Sequence, residues 1–334
     1  MKIMNKKAIA LISGGLDSLL AARVVMEQGI QVQGVVFIMQ FAARDIPEFT
    51  KRVTESANEA DIPIKFIDMS EKFLEILKDP RYGYGANLNP CIDCKILMLT
   101  LAKKMMKTEN AGFVLTGEVL GERPMSQRKG ALNIIQKKSL LDGYLLRPLS
   151  AKLLEETIPE KEGVVDRNKL LDFSGRGRER QLALAKKYRL TKFFAPSGGC
   201  LLTDALFSRK LKDLIAADNL DLNDVELLKC GRHFRLDNKT KVVVGRDEKD
   251  NNSIILLKQK GDAVLRLKDA AGPYVLLRGE LSGENIQKAG TLLIGHSKSR
   301  GQKDALIEYW MEENNKKVIQ IGAMKRSEID KMRI

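Results

Sequence analysis

A glycine-rich segment near the start of the chain has residue types suited to binding a phosphate group. Ser13–Ser18 reads Ser-Gly-Gly-Leu-Asp-Ser and lies between an apolar run, Lys7–Ile12, and the helical pattern of Leu16–Glu27. The glycines let the backbone turn tightly, and the amides that begin the following helix point at an anion. We expect Asp17 to orient a Mg²⁺ ion on a pyrophosphate group. The segment is not a Walker loop, because it lacks the Gly-Lys-Ser/Thr ending.

Three of the four cysteines stand in contexts that favour thiol or metal chemistry. Cys91 and Cys94 form a CxxC pair at the expected start of a helix, where the helix dipole would lower a thiol pKa. Cys200 follows a second glycine turn, residues 196–199, whereas Cys230 is isolated and is expected to be structural. Four cysteines in 334 residues are too few for a disulfide scaffold, which indicates a reducing compartment such as the cytoplasm.

The residues alone leave several chemistries open for Cys91, Cys94 and Cys200. The three thiolates could hold a [4Fe-4S] cluster with one iron left open. Alternatively, one cysteine could carry a persulfide that another resolves by forming a disulfide. Structural zinc is disfavoured, because zinc takes four ligands and the two histidines, His233 and His296, both lie in the C-terminal part. The pattern could also be incidental, with Cys200 as a small buried residue.

The charge of the chain favours a polyanionic partner. Lys and Arg number 57 against 43 Asp and Glu, which gives a net charge of +14. Nucleic acid is the first expectation and an anionic membrane surface the second, while a solubilising surface remains the plain alternative. No apolar run approaches the ~20 residues of a membrane span, so none is predicted. A hydrophobic content of 44% excludes a disordered chain.

Alternating strand and helix patterns in residues 1–150 predict an α/β domain with a doubly wound parallel sheet. Four apolar runs predict the strands that follow the first one: Val32–Met39, Pro63–Met69, Gly112–Thr116 and Tyr144–Leu149. Lys95–Met106 predicts a helix after the CxxC pair. Ligands of such sheets bind beyond the carboxyl ends of the strands, where the glycine-rich loop lies.

Residues 151–230 predict a helical extension that completes the site with Cys200. Within it, Ser174–Lys192 holds seven basic residues and one acidic residue, and we expect its arginines to lie on a helix that contacts RNA. Those arginines are Arg176, Arg178 and Arg180.

Residues 231–334 predict a small α+β domain with a net charge of +7, from 21 Lys and Arg against 14 Asp and Glu. We expect a helix from Gly283 to about Ser297 and then a charged tail. The expected strands are Val242–Val244, Ile254–Leu257, Ala263–Leu267 and Tyr274–Leu277.

Taken together, these motifs resemble a known family. The Ser13–Ser18 loop is similar to that of the N-type ATP pyrophosphatase (PP-loop) superfamily, which has an adenine nucleotide alpha hydrolase-like fold. With Asn89–Lys95 (NPCIDCK) and Thr116–Gln127 (TGEVLGERPMSQ), it resembles the tRNA thiouridine synthetases over about residues 7–205. Thr116–Gln127 is similar to the 4-thiouridine synthetases and the NPCxxC stretch to the 2-thiouridylases. Val243–Arg246 and Gly272–Arg278 resemble the NFACT RNA-binding domain.

The resemblance implies a tRNA sulfurtransferase that uses ATP and Mg²⁺ to adenylate a uridine carbonyl oxygen before sulfur replaces it. It also implies tRNA as partner and sulfide, or a persulfide made by a cysteine desulfurase, as sulfur donor. A [4Fe-4S] cluster on Cys91, Cys94 and Cys200 is favoured over a persulfide on Cys200, since no sulfur-carrier domain is expected. Lys95 or Arg123 would assist on phosphate.

Two groups of residues complete the expected site. The nucleotide would contact Ser13, Gly14, Gly15, Leu16, Asp17, Ser18 and Gly117, with adenine near Phe37, Ile38 and Met39. The RNA would contact Arg176, Arg178, Arg180, Arg246 and Arg278.

Two other classes of function remain open. The first is a PP-loop enzyme that forms amides, in which ammonia attacks the adenylate and the cysteines are dispensable. The second is a non-catalytic RNA-binding protein with a vestigial loop, which would bind tRNA with a steep salt dependence and catalyse no exchange of ATP with pyrophosphate.

Overall fold

The structure is a computed structural model that describes residues 4–41, 43–195, 200–218, 220–299, 304–322 and 326–334. The chain divides into two compact units, Met1–Thr203 and Asp204–Ile334. The expected boundaries were residues 150 and 230. The extension up to Thr203 instead forms part of the first unit, and residues 204–230 form part of the second.

The first unit contains the parallel sheet that the sequence patterns predict. Its strands are β1 (Lys7–Leu11), β2 (Gln31–Ile38), β3 (Ile64–Asp68), β4 (Phe113–Thr116) and β5 (Leu145–Leu146). The strand order is β3-β2-β1-β4-β5, and every neighbouring pair is parallel. β1 lies at the point where the strand order reverses, so the loop that follows it opens into the crevice where ligands of such sheets bind.

Seven α-helices of the described residues accompany this sheet. They are α1 (Leu16–Met26), α2 (Ile46–Glu59), α3 (Ser70–Lys78), α4 (Cys91–Thr108), α5 (Lys129–Lys138), α6 (Ile158–Lys161) and α7 (Glu179–Lys187). Short 3-10 turns occur at Ala151–Leu153, Arg167–Lys169 and Leu201–Thr203. α1 buries Leu16, Leu19, Leu20 and Val24 against the sheet, as the helical spacing predicts. α4 begins four residues before Lys95, at Cys91 itself.

The second unit is built on an antiparallel sheet of the order β11-β10-β8-β9-β7-β6. Its strands are β6 (Arg232–Arg235), β7 (Lys241–Val244), β8 (Ala263–Leu267), β9 (Val275–Arg278), β10 (Asp304–Trp310) and β11 (Lys317–Gly322). Its helices are α8 (Ala205–Ala216), α9 (Leu222–Leu228), α10 (Glu248–Leu256), α11 (Gly283–Gly295) and α12 (Arg326–Lys331). Apolar residues of α11 cover one face, and Leu227 of α9 with Ile254 of α10 pack on the other.

Two predictions for this unit were wrong. The apolar run Ile254–Leu257 lies mostly in α10, because the Asp247 side chain caps that helix by accepting from the amide of Asp250 at 2.9 Å. Only Ile254 of the run is buried, while Leu256 is 84% exposed. The expected charged tail contains the β10–β11 hairpin, which is held because Ile307 and Ile321 pack into the core. None of the described helices has the length and apolar character needed to cross a membrane.

Candidate active site

The glycine-rich loop joins β1 to α1 and is closed by its own hydroxyl groups. Gly14 has a φ of +75°, which an L side chain adopts only with strain. The Ser18 hydroxyl donates to the carbonyl of Gly15 at 2.8 Å and accepts from the amide of Ser13 at 3.2 Å. Gly117, just past β4, lies directly against the backbone of Asp17. The predicted loop residues are therefore brought together at the start of α1.

Asp17 is a half-buried residue, and one of its carboxylate oxygens is unused. Its Oδ1 atom has no hydrogen-bond partner among the described residues. Burial raises the pKa of Asp17, and the positive charges of Arg178 and Arg123 oppose that rise. Burial and the negative charge of Asp17 likewise raise the pKa of Glu122. A carboxylate that keeps one buried oxygen without a partner beside two arginines is suited to a cation together with an anionic ligand.

Glu118 forms the centre of a buried ion network that sequence reasoning missed. It accepts from Lys95 Nζ at 2.6 Å and from Arg147 Nε at 3.0 Å. Although burial alone would raise the pKa of Glu118, the two cations lower it to about 2. Arg147 also donates to the carbonyl of Leu132 at 3.1 Å. Lys95, which was expected to assist on phosphate, is thus held by an ion pair with Glu118. The sequence feature that could have pointed to Glu118 is its place in the Thr-Gly-Glu motif, Thr116–Glu118.

The three candidate cysteines act electrostatically on one another. Cys91 and Cys94 lie one turn apart at the start of α4, on the same face of the helix. A thiolate at Cys200 or Cys91 would raise the pKa of Cys94, and one at Cys91 would raise the pKa of Cys200. Cys200 is therefore near the pair in space although it is distant in sequence.

Hydrogen bonds to two loops position Cys200. The amide of Leu201 donates to the carbonyl of Phe41 at 3.0 Å, and the Cys200 thiol lies 3.6 Å from the same oxygen. The amide of Leu88 donates to Leu202 at 3.2 Å. Leu88 precedes α4 by a few residues. This bond therefore holds the segment that contains Cys200 beside the loop that leads into the CxxC pair. The glycine turn at 196–199 lies outside the described residues.

The prediction that the helix start lowers a thiol pKa was wrong. Burial raises the pKa of Cys91, and the charges of Lys95 and Arg123 offset only part of that effect. Burial also raises the pKa of Cys94, and it raises that of Cys200 to about 12. Desolvation thus outweighs the dipole at Cys91 and Cys94, the two positions at the helix start. Cys230 is buried in the second unit and its thiol donates to Leu227 at 3.3 Å, as expected for a structural residue.

The described part of the chain contains no group of three His, Cys, Asp or Glu side chains that could hold a metal ion. The cysteine set therefore does not fit a single-ion site such as zinc. The expected three-thiolate cluster stays a prediction. Asp17 differs, because one carboxylate with an unpaired oxygen matches the way Mg²⁺ binds through a single protein ligand and substrate phosphates.

Arg123 connects the loop to the thiols. Its guanidinium acts electrostatically on the Asp17 carboxylate and also on the Cys91 thiol. Lys95 likewise acts on Cys91 and on Glu122. The residues expected to bind nucleotide and the residues expected to handle sulfur therefore lie near one another in the first unit.

The residues expected to contact adenine, Phe37, Ile38 and Met39, differ in burial and in the hydrogen bonds they already form. Phe37 is buried within β2, whereas Met39 follows the strand and is partly exposed. The carbonyl of Ile38 accepts from the amide of Met69 at 2.9 Å, so it is already used within the protein. Adenine binding near Phe37 and Met39 remains a prediction.

The arginines of the extension do not share a helix as expected. α7 begins at Glu179, because Gly175, with a φ of +77°, turns the chain just before it. Arg176 is exposed in this turn, and Arg178 acts on Asp17. Arg180 is on the helix, where its guanidinium pairs with Asp172 and lies 4.4 Å from the ring centre of Phe173.

Two arginines of the second unit are held by carboxylates. Arg278 pairs with Asp224 and Asp262, each at 2.7 Å, and its side chain is only 14% exposed. Its charge is therefore largely compensated within the protein, and its contact with RNA stays a prediction. Arg246 pairs with Asp250 at 2.6 Å but keeps 44% of its side chain exposed.

Comparison with known proteins separates the chain into two segments. Residues 3–159 match the family model of the thiamine biosynthesis protein (ThiI), and residues 231–333 match that of the NFACT protein RNA binding domain. A probable tRNA sulfurtransferase of Ureaplasma parvum is 30% identical over 164 residues, which cover 46% of this chain and 39% of that protein. A tRNA-specific 2-thiouridylase MnmA of Syntrophotalea carbinolica is 32% identical over 101 residues, 28% of this chain and 29% of that protein.

A solved 4-thiouridine synthetase in complex with RNA and ATP is 20% identical, with a TM-score of 0.36, and covers 55% of this chain and 51% of that one. The chain spans about 39% of the length of the first curated relative. The two resemblances predicted from the motifs are confirmed as similarities: residues 3–159 are similar to the ThiI family of PP-loop proteins, and residues 231–333 to an NFACT RNA-binding domain.

Proposed function

We propose that this chain is an ATP-dependent tRNA sulfurtransferase, which adenylates a uridine carbonyl oxygen and then replaces that oxygen with sulfur. The observation that carries the proposal is the position of Arg123, whose charge acts on both Asp17 and Cys91. Activation by ATP and transfer of sulfur both act on the same carbonyl group of the base. The nucleotide is attached to its oxygen, and sulfur attacks its carbon. A single site that holds a phosphate loop and thiols meets this requirement.

In the first step, the loop amides at the start of α1 hold the phosphates of ATP. The uridine oxygen attacks the α-phosphorus, a new P–O bond forms, and the bond to the bridging oxygen breaks to release pyrophosphate. Asp17 would hold Mg²⁺, which supplies positive charge to the phosphate oxygens. The contribution of Arg123 is to neutralise charge and that of the loop is to position the reactants.

In the second step, sulfur attacks the activated carbon, a C–S bond forms, and the C–O bond breaks with AMP as leaving group. In the persulfide route, Cys200 carries a persulfide whose outer sulfur comes from the persulfide of the sulfur donor. The thiolate of Cys91 then attacks the Cys200 sulfur, breaks the S–S bond, and releases the thiolated base. The resulting disulfide between Cys91 and Cys200 is returned to two thiols by a dithiol reductant.

The proposal is tested with the purified chain, unmodified tRNA, Mg²⁺, ATP and a persulfide donor. Nucleoside mass spectrometry should detect thiouridine, together with one AMP and one pyrophosphate per modified base. D17A should abolish AMP and pyrophosphate production and leave RNA binding near normal. C91S and C200S should stop thiouridine formation, whereas C230S, which alters a buried cysteine of the second unit, should keep it.

The alternatives predict different results from the same assay. Full activity of C91S and C200S with ammonia as the nucleophile that attacks the adenylate would identify an amide-forming enzyme. Salt-sensitive RNA binding without any exchange of ATP and pyrophosphate would identify a vestigial loop. Iron analysis of anaerobically purified protein separates the sulfur routes, because a [4Fe-4S] cluster is coloured and contains iron. Colourless, iron-free, active protein would support the persulfide.

A further inference from the structure

Arg178 and Asp17 carry opposite charges in the same site without forming a hydrogen bond in the described part of the chain. The guanidinium acts electrostatically on Asp17 and also on Glu122. Arg178 Nε and Asp17 Oδ1 are both buried, and neither atom has a hydrogen-bond partner among the described residues. A buried donor and a buried acceptor are therefore both left unsatisfied.

Unsatisfied buried groups of this kind point to a ligand. Each costs about as much free energy as a lost hydrogen bond, and more when the group is charged, so folded proteins rarely keep them without a partner. A phosphate group carrying a divalent cation satisfies both at once. Its oxygens accept from the guanidinium, while the cation contacts the carboxylate.

The backbone before α7 explains how Arg178 reaches the loop. Leu120 and Ser174 form an isolated parallel bridge, and the amide of Gly175 donates to the carbonyl of Leu120 at 2.8 Å. This pairing holds the segment that leads to Arg178 beside the loop that carries Glu122. The half-buried Arg178 is thereby distinguished from Arg176, which is exposed in the same turn.

We propose that Arg178 binds the phosphate chain of ATP opposite Asp17, and does not bind the RNA backbone. The assignment rests on the proposed function only in taking ATP as the nucleotide of the loop. It makes the extension before Thr203 a part of the nucleotide site, supplied from a segment outside residues 3–159 that match the ThiI model. Arg178 positions the triphosphate for loss of pyrophosphate.

Calorimetric titration of the full chain with Mg·ATP, and separately with Mg·pyrophosphate, tests the assignment without RNA or a sulfur donor. R178Q should weaken both affinities roughly tenfold or more, because a charge-assisted hydrogen bond to a buried site is lost. R178K should recover part of the loss, since it restores the charge but not the planar fork. R128Q, which alters an exposed arginine of the same unit, should bind ATP like the parent chain.

The outcomes separate this assignment from the function proposed above. Unchanged ATP and pyrophosphate affinity in R178Q, with weakened tRNA binding, would overturn it in favour of an RNA contact. Weakened ATP binding in a chain that never thiolates tRNA would leave it standing while the proposed function fails. Should R178Q not fold, phenylglyoxal labelling of the parent chain replaces it. ATP should then protect Arg178 and tRNA should not, and the reverse would reject the assignment.

Discussion

Gly117 lies so close to the start of α1 that a β-carbon at this position would stand 2.5 Å from the carbonyl carbon of Asp17. The amide nitrogen of Ser18 would be equally near, at 2.5 Å. The end of β4 and the glycine-rich loop therefore touch through their backbones. This contact fixes the distance between the loop and Glu118, which follows Gly117.

We expect G117A to impair ATP binding and to lower the thermal stability of the first unit. The added methyl group would meet backbone atoms, which cannot move aside as a flexible side chain would, so the start of α1 must shift. Calorimetry with Mg·ATP and thermal unfolding measure the two effects. G130A is the control, because a β-carbon at this position of α5 would point into open space. Equal ATP affinity in both variants would show that the contact is unimportant.

Substitution of Glu118 should show how much the buried network contributes. E118Q leaves Lys95 and Arg147 without their counter-charge, so we expect a loss of about 3 kcal/mol in the free energy of unfolding at neutral pH. Asp61, the ion-pair partner of Arg23, has a side chain that is 79% exposed. D61N should therefore lower the free energy of unfolding by less than about 1 kcal/mol. Urea unfolding measures both, and similar losses would argue against a special role for the buried pair.

The lowered pKa of Glu118 also predicts that the free energy of unfolding falls at acidic pH. Because the folded pKa of Glu118 is about 2 and the unfolded value is about 4.3, the folded state holds fewer protons between those values. The stabilisation is thus fully present above about pH 4.3 and is lost as the pH falls towards 2. Urea midpoints from pH 6 to 3 should fall more steeply for the parent chain than for E118Q. Parallel curves would contradict the lowered pKa.

Lys241 should destabilise the second unit at neutral pH. It is 3% exposed, its Nζ has no hydrogen-bond partner among the described residues, and Arg235 and Arg278 stand opposite it on the neighbouring strands. Asp213 and Asp224 attract its charge, but burial lowers its pKa to about 7. K241M removes the desolvated charge, so we expect the variant to be more stable than the parent chain at pH 7.

The pH dependence of the parent chain follows from the same group. Between pH 7 and about 10.4 the unfolded lysine is protonated and the folded one is neutral, so the unfolded state holds more protons and stability rises with pH. K241M should lose this rise, whereas K239M, at an exposed position, should keep it. A less stable K241M with an unchanged pH profile would show that the amine has a partner.

Cutting the chain between its two units, after Thr203, should separate nucleotide binding from RNA binding. A chain cut after Thr203 is expected to bind ATP normally and to lose roughly tenfold or more in tRNA affinity, with a shallower salt dependence. Filter binding across a range of salt concentrations measures this. Greater loss of ATP affinity than of tRNA affinity would reject the division of roles.

The site of the cut matters for the second unit. If residues 231–334 are expressed alone, Arg278 loses Asp224 and Arg235 loses Asp213, because both carboxylates lie upstream of the cut. We therefore expect residues 204–334 to fold and bind tRNA, and residues 231–334 to be unstable. Comparison of their thermal unfolding tests this, and equal stability would show that α8 and α9 are dispensable.

The sequence by itself determined the parallel sheet, the loop at Ser13–Ser18 and the CxxC pair at the start of α4. These features are encoded locally: apolar periodicity sets strands and helices, and glycine spacing sets the turn. The similarity to two families could also be predicted, since the motifs that carry it are contiguous. The same local reasoning failed at Ile254–Leu257, where a capping aspartate outweighed an apolar run.

Only the tertiary structure decided which charged residues are available. Sequence shows Arg178 and Arg278 as equivalent basic residues, yet one acts on Asp17 and the other is enclosed by two aspartates. Likewise, the partners of Glu118 lie 23 and 29 residues away, and Cys200 approaches Cys94 only through loop contacts. Burial and long-range pairing depend on how the elements pack, because desolvation and charge act through space and not along the chain.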